Sequence, residues 1–299
     1  MSRDLRLRGV YIPLITPFAA DGSVALDAVE RLANEYLEAG AAGIVARGTT
    51  GETPALDADE RQQVIDVCAR VCDERGAQLL IGIGTNNTAG TAAAAAALAG
   101  TPALVAALVV VPYYVRPSED GIVAHYRAVA EVSPVPIVLY NVPSRTGRAL
   151  SAGRVLELAA EAKFAGIKQA MSSIDVDTLQ LLAGIPEGFA VLGGTDDFLF
   201  PLVLMGSSGT ICATAHVCTE RFVAMIECGL AGKVDEGRAH AEALLPVTQG
   251  CFAEPNPMLF KGVLHAQGRI PTPDVRLPLV NASAGAIERA LTAIDKASH

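Results

Sequence analysis

Residues 135–168 read VPIVLYNVPSRTGRALSAGRVLELAAEAKFAGIK. Two short apolar runs, 135–140 (VPIVLY) and 164–168 (FAGIK), flank a helix-forming segment at 151–161. Neither run alternates between polar and apolar residues, which is how a parallel strand buried on both faces reads. The same unit recurs along the chain. Further apolar runs lie at 10–16 (VYIPLIT), 42–46 (AGIVA), 79–83 (LLIGI), 104–111 (LVAALVVV), 189–192 (FAVL) and 209–213 (GTICA), which makes eight. Helical patterns fall between them at 26–39, 58–74, 88–99, 119–131, 173–182 and 197–205. The first ends at Gly40 and the second at Gly76, each a natural position just past a helix. Eight alternating units within about 215 residues imply a closed (β/α)8 TIM barrel, with a doubly wound sheet as the structural alternative.

After the eighth run the alternation stops. Helical patterns at 219–230, 233–249, 256–266 and 284–296 carry the chain to its end without a convincing strand. The expected division is therefore a barrel catalytic domain over 1–230 and a small C-terminal helical region over 231–299, with the boundary near Gly229 to Gly232.

Composition narrows the classes of function. The 299 residues are 51% hydrophobic, which supports an extensive core, and they carry a net charge of −9. No block of Lys or Arg occurs, so nucleic acid and anionic membrane are poor partners. The first 18 residues hold only a short apolar run broken by Pro13 and Pro17, unlike a secretory leader. The apolar stretches at 92–97 and 103–111 are too short to span a bilayer. A soluble, cytoplasmic protein is expected. Six cysteines occur without a CxxC pair and read as buried free thiols. Cys68 and Cys72, four apart on a helix, lack an evident third ligand, and His216 with Cys218 reads as packed core. No metal and no cofactor is expected.

In such barrels the site lies at the C-terminal ends of the strands. Those ends carry Gly48-Thr49-Thr50-Gly51-Glu52, Tyr113 and Tyr114, Tyr140 and Asn141, Arg145, Lys168, and Gly193 to Asp196. The chain has five lysines, at 163, 168, 233, 261 and 296. Four fall on helices or edges and read as solvated. Lys168 instead closes an apolar run, where burial favours the free amine that attacks a carbonyl. A buried ion pair is the alternative reading of Lys168. The Gly-flanked turn at 48–52 offers backbone N–H groups and two hydroxyls to a carboxylate, or is simply a helix-start loop. Tyr140 is either an acid–base group or a core aromatic. Arg145 either grips a substrate carboxylate or pairs with a surface acid. No Walker loop, HExxH or nucleotide-binding glycine pattern is present.

GTTGE at 48–52, PYY at 112–114, YNVPSRTG at 140–147, GIK at 166–168 and EPNPMLFKG at 254–262 together resemble the dihydrodipicolinate synthase family of pyruvate-dependent class I aldolases. The likeness runs from Gly9 to about Gly285. The resemblance implies that Lys168 forms the Schiff base and that Tyr140 is the proton donor and acceptor. It implies that Thr49 links Tyr140 to Tyr114, and that Tyr114 enters from a neighbouring subunit of a homotetramer. Thr50 would hold the pyruvate carboxylate, Arg145 the carboxylate of aspartate-β-semialdehyde, and Gly194 and Ile211 would line the site. The chain departs from the family in Gln169-Ala170-Met171-Ser172 after the lysine and in a longer loop at 193–197. Ala58, Arg61 and Gly90 stand where lysine-sensitive relatives carry imidazoles and a carboxylate, so millimolar L-lysine is expected to inhibit weakly or not at all.

Two other functions stay open at this stage. One is a pyruvate aldolase acting on a sugar acid or an aromatic aldehyde. The other is a non-catalytic ligand-binding barrel, against which Lys168, Tyr140 and Thr49 argue as a set.

Overall fold

A computed structural model describes residues 5–298. The reading of the first 18 residues thus falls partly, at residues 1–4, outside the described residues. Eight parallel strands close into a barrel in chain order among these residues: β1 (Gly9–Pro13), β2 (Gly43–Ala46), β3 (Gln78–Gly82), β4 (Leu104–Val110), β5 (Ile137–Asn141), β6 (Phe164–Gln169), β7 (Ala190–Gly193) and β8 (Gly209–Ile211). Closure is the pairing of β1 with β8, with Val10 opposite Thr210 and Tyr11 opposite Ile211. At that seam Gly209 lies against the Gly9 backbone, and a Cβ there would have no room. The doubly wound alternative is excluded by this closure.

The helices between the strands are α1 (Leu26–Glu38), α2 (Ala58–Arg75), α3 (Thr88–Ala96), α4 (Glu119–Val132), the single turn α5 (Pro143–Thr146), α6 (Ala152–Ala159), α7 (Val176–Gly184) and α8 (Leu199–Leu204). Their ends follow local chemistry. Asp57 caps α2 by accepting from the Glu60 N–H at 2.9 Å, and the Glu60 carboxylate accepts from the Asp57 N–H at 2.9 Å. Gly76 ends α2 at φ +62, where a side chain would be strained. On α1 one stripe, Ala28, Val29, Leu32, Ala33 and Tyr36, is buried against the barrel.

The strands are buried on both sides, but their two faces serve different cores. One core lies between barrel and helices and takes Ile44, Ile81, Val109, Leu139, Ile167 and Val191. The other fills the barrel interior with Tyr11, Val45, Leu80, Leu108, Val138, Tyr140, Leu192 and Ile211. The period of two along each strand therefore decides which residues face the barrel axis. No described helix is long and apolar enough to cross a membrane.

After β8 come α9 (Thr219–Leu230), α10 (Val234–Cys251), α11 (Met258–Ala266) and α12 (Ala284–Ser298). α9 packs on β1 and β8 and α10 packs along α9, with α12 against both α10 and α11.

A fully buried histidine joins the start of the chain to this end of the barrel. The Ile15 N–H donates to His216 Nε2 at 3.2 Å, and Nδ1 lies 2.7 Å from the Ala213 carbonyl. Those two partners require the neutral ring with its proton on Nδ1. Burial accordingly pulls His216 down to about 4, with the Ala213 carbonyl opposing, and burial does the same to His125. The unfolded chain binds protons below pH 6.5 that the native rings refuse down to about pH 4. Stability is thus fully present above about pH 6.5 and declines as pH falls toward 4, by roughly 3 kcal/mol for His216. Urea titrations from pH 7 to 4 should show this loss, and His216→Gln should flatten it. An unchanged slope in that variant would contradict the assignment.

Candidate active site

Tyr140 and Lys168 are register partners on adjacent strands β5 and β6. Ile167 packs outward, so its neighbour Lys168 points inward, beside Tyr140 of the interior core. The Lys168 Nζ sits 4.4 Å from the centre of the Tyr140 ring, and each residue is 7% exposed. Gly194, just past β7, is what gives the lysine its room. A Cβ on Gly194 would stand 2.8 Å from Lys168 Cε and 2.9 Å from its Cγ. Ile211 completes the interior wall at 1% exposure.

A buried carboxylate lies behind this lysine. Asp196 Oδ2 accepts from the Thr214 N–H and from its hydroxyl, both at 2.7 Å, and from Cys212 Sγ at 3.3 Å. Burial pushes the Asp196 carboxyl up, while the Thr214 and Cys212 donors and the Lys168 charge pull it down. Asp196 was visible in the sequence only as a loop residue. Nothing in its spacing marked it as a buried partner.

A cavity of about 620 Å³ opens above the strand ends, lined by Thr49, Tyr113, Tyr140, Arg145, Asn256 and Arg276 among others. Lys168, Thr50, Gly194 and Ile211 are not part of its lining. Tyr140, against which Lys168 packs, is the residue of that pair that lines the cavity. Arg145 is exposed at the end of α5, and its side chain makes no hydrogen bond or ion pair among the described residues. Its guanidinium is free for a carboxylate.

The turn that carries Thr49 and Thr50 is held from the far end of the chain. Thr49–Gly51 forms one 3-10 turn and Thr53–Ala55 a second, hinged at Glu52, whose φ is +51. The Asn256 side-chain amide donates to Thr50 Oγ1 at 3.0 Å. Lys261, on α11, places its Nζ 2.5 Å from the Glu52 carboxylate, with neither side chain more than 2% exposed. The same ammonium donates to the Asp274 carbonyl at 2.8 Å and lies 3.8 Å over the Phe18 ring. Burial draws Lys261 down to about 8, with Glu52 pulling it back up. This corrects the expectation that every lysine but Lys168 is solvated: Lys163, Lys233 and Lys296 are, and Lys261 is not. All residues of α11 from Met258 to Leu264 are buried, so its one charge had no solvent face to occupy.

Tyr114 is the residue that one chain does not bring to the site. It is 89% exposed at φ +70 and lies outside the cavity lining, where Tyr113 takes its place. No hydrogen bond links the hydroxyls of Tyr140, Thr49 and Tyr114 among the described residues. The described residues also contain no group of three His, Cys, Asp or Glu side chains placed to hold a metal.

A closed parallel barrel with a buried lysine against a tyrosine at its strand ends, under a cavity edged by an arginine, places the chain in the class of (β/α)8-barrel enzymes. Comparison with known proteins gives the family. The model of the dihydrodipicolinate synthetase family matches residues 6–297, and the chain belongs to that family. It is 38% identical over 283 residues to the 4-hydroxy-tetrahydrodipicolinate synthase of Salinibacter ruber, covering 93% of this chain and 91% of the relative. The synthase of Neisseria gonorrhoeae is 37% identical over 281 residues, 93% of this chain and 94% of its own. Among solved structures, dihydrodipicolinate synthase from Thermotoga maritima superposes with a TM-score of 0.93 at 31% identity, over 98% of this chain and 99% of that one. The Acinetobacter baumannii enzyme complexed with pyruvate gives the same TM-score, identity and coverage.

Removing one partner of a buried pair strands the other charge. Lys261→Met should cost about 3–5 kcal/mol in urea unfolding, and the double variant Glu52→Gln/Lys261→Met should recover much of that loss. Additive losses in the double-mutant cycle would mean that the two groups do not interact.

Proposed function

We propose that this chain condenses pyruvate with L-aspartate-β-semialdehyde to give 4-hydroxy-tetrahydrodipicolinate, with Lys168 as the Schiff-base lysine. The single observation that carries the reading is the buried contact of Lys168 Nζ with Tyr140, at 4.4 Å from the ring centre. The relatives' shared activity and the pyruvate complex of the Acinetobacter baumannii enzyme support it.

In this reaction the Lys168 amine attacks the pyruvate ketone, and loss of water leaves an iminium. Its positive nitrogen draws electrons, so a methyl proton leaves and an enamine forms. The enamine carbon attacks the aldehyde carbon of the semialdehyde. The amine of the new chain then adds to the imine carbon, expels Lys168 and closes a six-membered ring. Tyr140 is the proposed donor and acceptor of protons, passed through Thr49 and Tyr114. Thr50, with the N–H groups of its turn, holds the pyruvate carboxylate, and Gly194 and Ile211 bound the methyl and ketone side.

The relay requires the Tyr114 of a second copy. Its 89% exposure and the neighbouring exposed Tyr113 and Val115 make an apolar loop suited to insertion into another subunit. We accordingly infer a homo-oligomer, with a homotetramer as the working state, acting on small molecules in the cytoplasm.

Arg145 holds the second substrate's carboxylate, so Arg145→Ala should leave imine formation with pyruvate intact. It should weaken capture of the semialdehyde by roughly 2–4 kcal/mol, tens- to several-hundred-fold in kcat/KM. Initial rates with the semialdehyde, set beside imine formation with pyruvate alone, read both steps. Turnover of a sugar acid but not of the semialdehyde by the native enzyme would overturn the substrate assignment.

A further inference from the structure

Four arginines line the cavity above the strand ends: Arg47, Arg61, Arg145 and Arg276. Glu52 is the one carboxylate in that lining, and it is already bound to Lys261 and to the Arg276 N–H, at 2.5 and 2.8 Å. Arg276 is itself neutralised by Glu60 through two contacts at 2.5 and 2.6 Å. Arg145 has its use in the reading above. Arg47 and Arg61 are left with no acidic partner among the described residues, in a chain whose net charge is −9.

The two are built differently from solvated surface arginines. Arg61 leaves the first turns of α2 and fixes its Nε with the carbonyls of Leu56 and Asp57, both at 3.0 Å. That anchors the side chain at the cavity wall and leaves its two terminal amino groups without a hydrogen-bond partner among the described residues. Arg47 follows β2 at φ +57, a conformation that suits Gly or Asn better than a long side chain. Its Nε is buried without any hydrogen-bond partner. Burial and the nearby Arg61 charge push Arg47 down to about 10. Two guanidiniums thus line one volume, one of them desolvated, with no acidic side chain paired to either among the described residues. An unpaired, partly buried guanidinium is costly, and the planar fork of N–H donors fits an oxyanion.

We propose that Arg47 and Arg61 form a binding site for a small oxyanion, the carboxylate or phosphate group of a molecule other than the condensing substrates, held between the two guanidiniums. The site shares its cavity with Tyr140 but uses none of the residues that the condensation reading assigns, so the two readings stand or fall separately.

Inorganic phosphate and succinate, each titrated calorimetrically into the full-length protein at constant ionic strength, test the site. Saturable one-to-one binding is expected for at least one probe, and the probe that binds identifies a phosphate or a carboxylate as the group recognised. Arg47→Gln and Arg61→Gln should each weaken it about tenfold or more, whereas Arg145→Gln should leave it within about twofold. A second measurement needs no variant. Phenylglyoxal modification of the native protein, mapped by mass spectrometry, should be suppressed at Arg47 and Arg61 by the bound probe and not at Arg145. The proposal is overturned if neither probe binds, as when a carboxylate of a second copy already fills the gap. It is equally overturned if affinity survives both substitutions, or if Arg145 is the residue that the probe protects.

Discussion

The alternation of side chains along β5 and β6, closed into a barrel, is the constraint on which the site depends. Tyr140 and Lys168 meet because they are register partners and because both take the inward parity of their strands. A slip of one residue in either strand would turn that side chain into the layer of helices. Closure through β1 and β8 keeps the parity consistent around the ring and brings Ile211 to the same interior as Tyr140. The absence of a side chain at Gly194 then decides whether the lysine can lie along the wall at all.

A second interaction governs the loop above. The Glu52 hinge is fastened to Lys261 across more than 200 residues of chain, and Asn256 reaches Thr50 from the same segment. Such a pair contributes little net stability against an apolar replacement, because both charges leave water. Its effect is positional: it ties the shape of the Thr49–Thr50 turn to the docking of α11. The region after the barrel is therefore part of the machinery that shapes the cavity, through Asn256 and Arg276 in its wall.

Much of this was legible in the sequence, for definite reasons. Strands buried on both faces announce themselves as unbroken Val, Ile and Leu runs, and a polar residue that closes such a run, as Lys168 and Tyr140 do, stands out by contrast. Burial inside a helix is harder to read. Lys261 falls on a helix, which suggested solvation, while every residue of α11 from Met258 to Leu264 is buried and α12 packs on it. Asp196 and Arg47 were missed because their significance lies in partners, or in the want of them, distant in sequence. The Tyr114 assignment rests on family likeness alone, since within one chain this side chain faces outward. Short turns at Thr49–Gly51 and Pro143–Thr146 carry no periodicity that a pattern of apolar residues could reveal.

The central claim is that Lys168 is the nucleophile, and Lys261 is its natural rival: it too is buried, and burial draws its ammonium down to about 8. Neither lysine is part of the cavity lining, but Lys261 is committed to Glu52 and to the Asp274 carbonyl, whereas Lys168 lies against the ring of Tyr140, which lines the cavity. Treating the native protein with pyruvate and borohydride, then mapping the modified peptides by mass spectrometry, separates the two directly. The account predicts covalent mass at Lys168 alone, abolished in Lys168→Ala. Label at Lys261, or label that persists in Lys168→Ala, would contradict it.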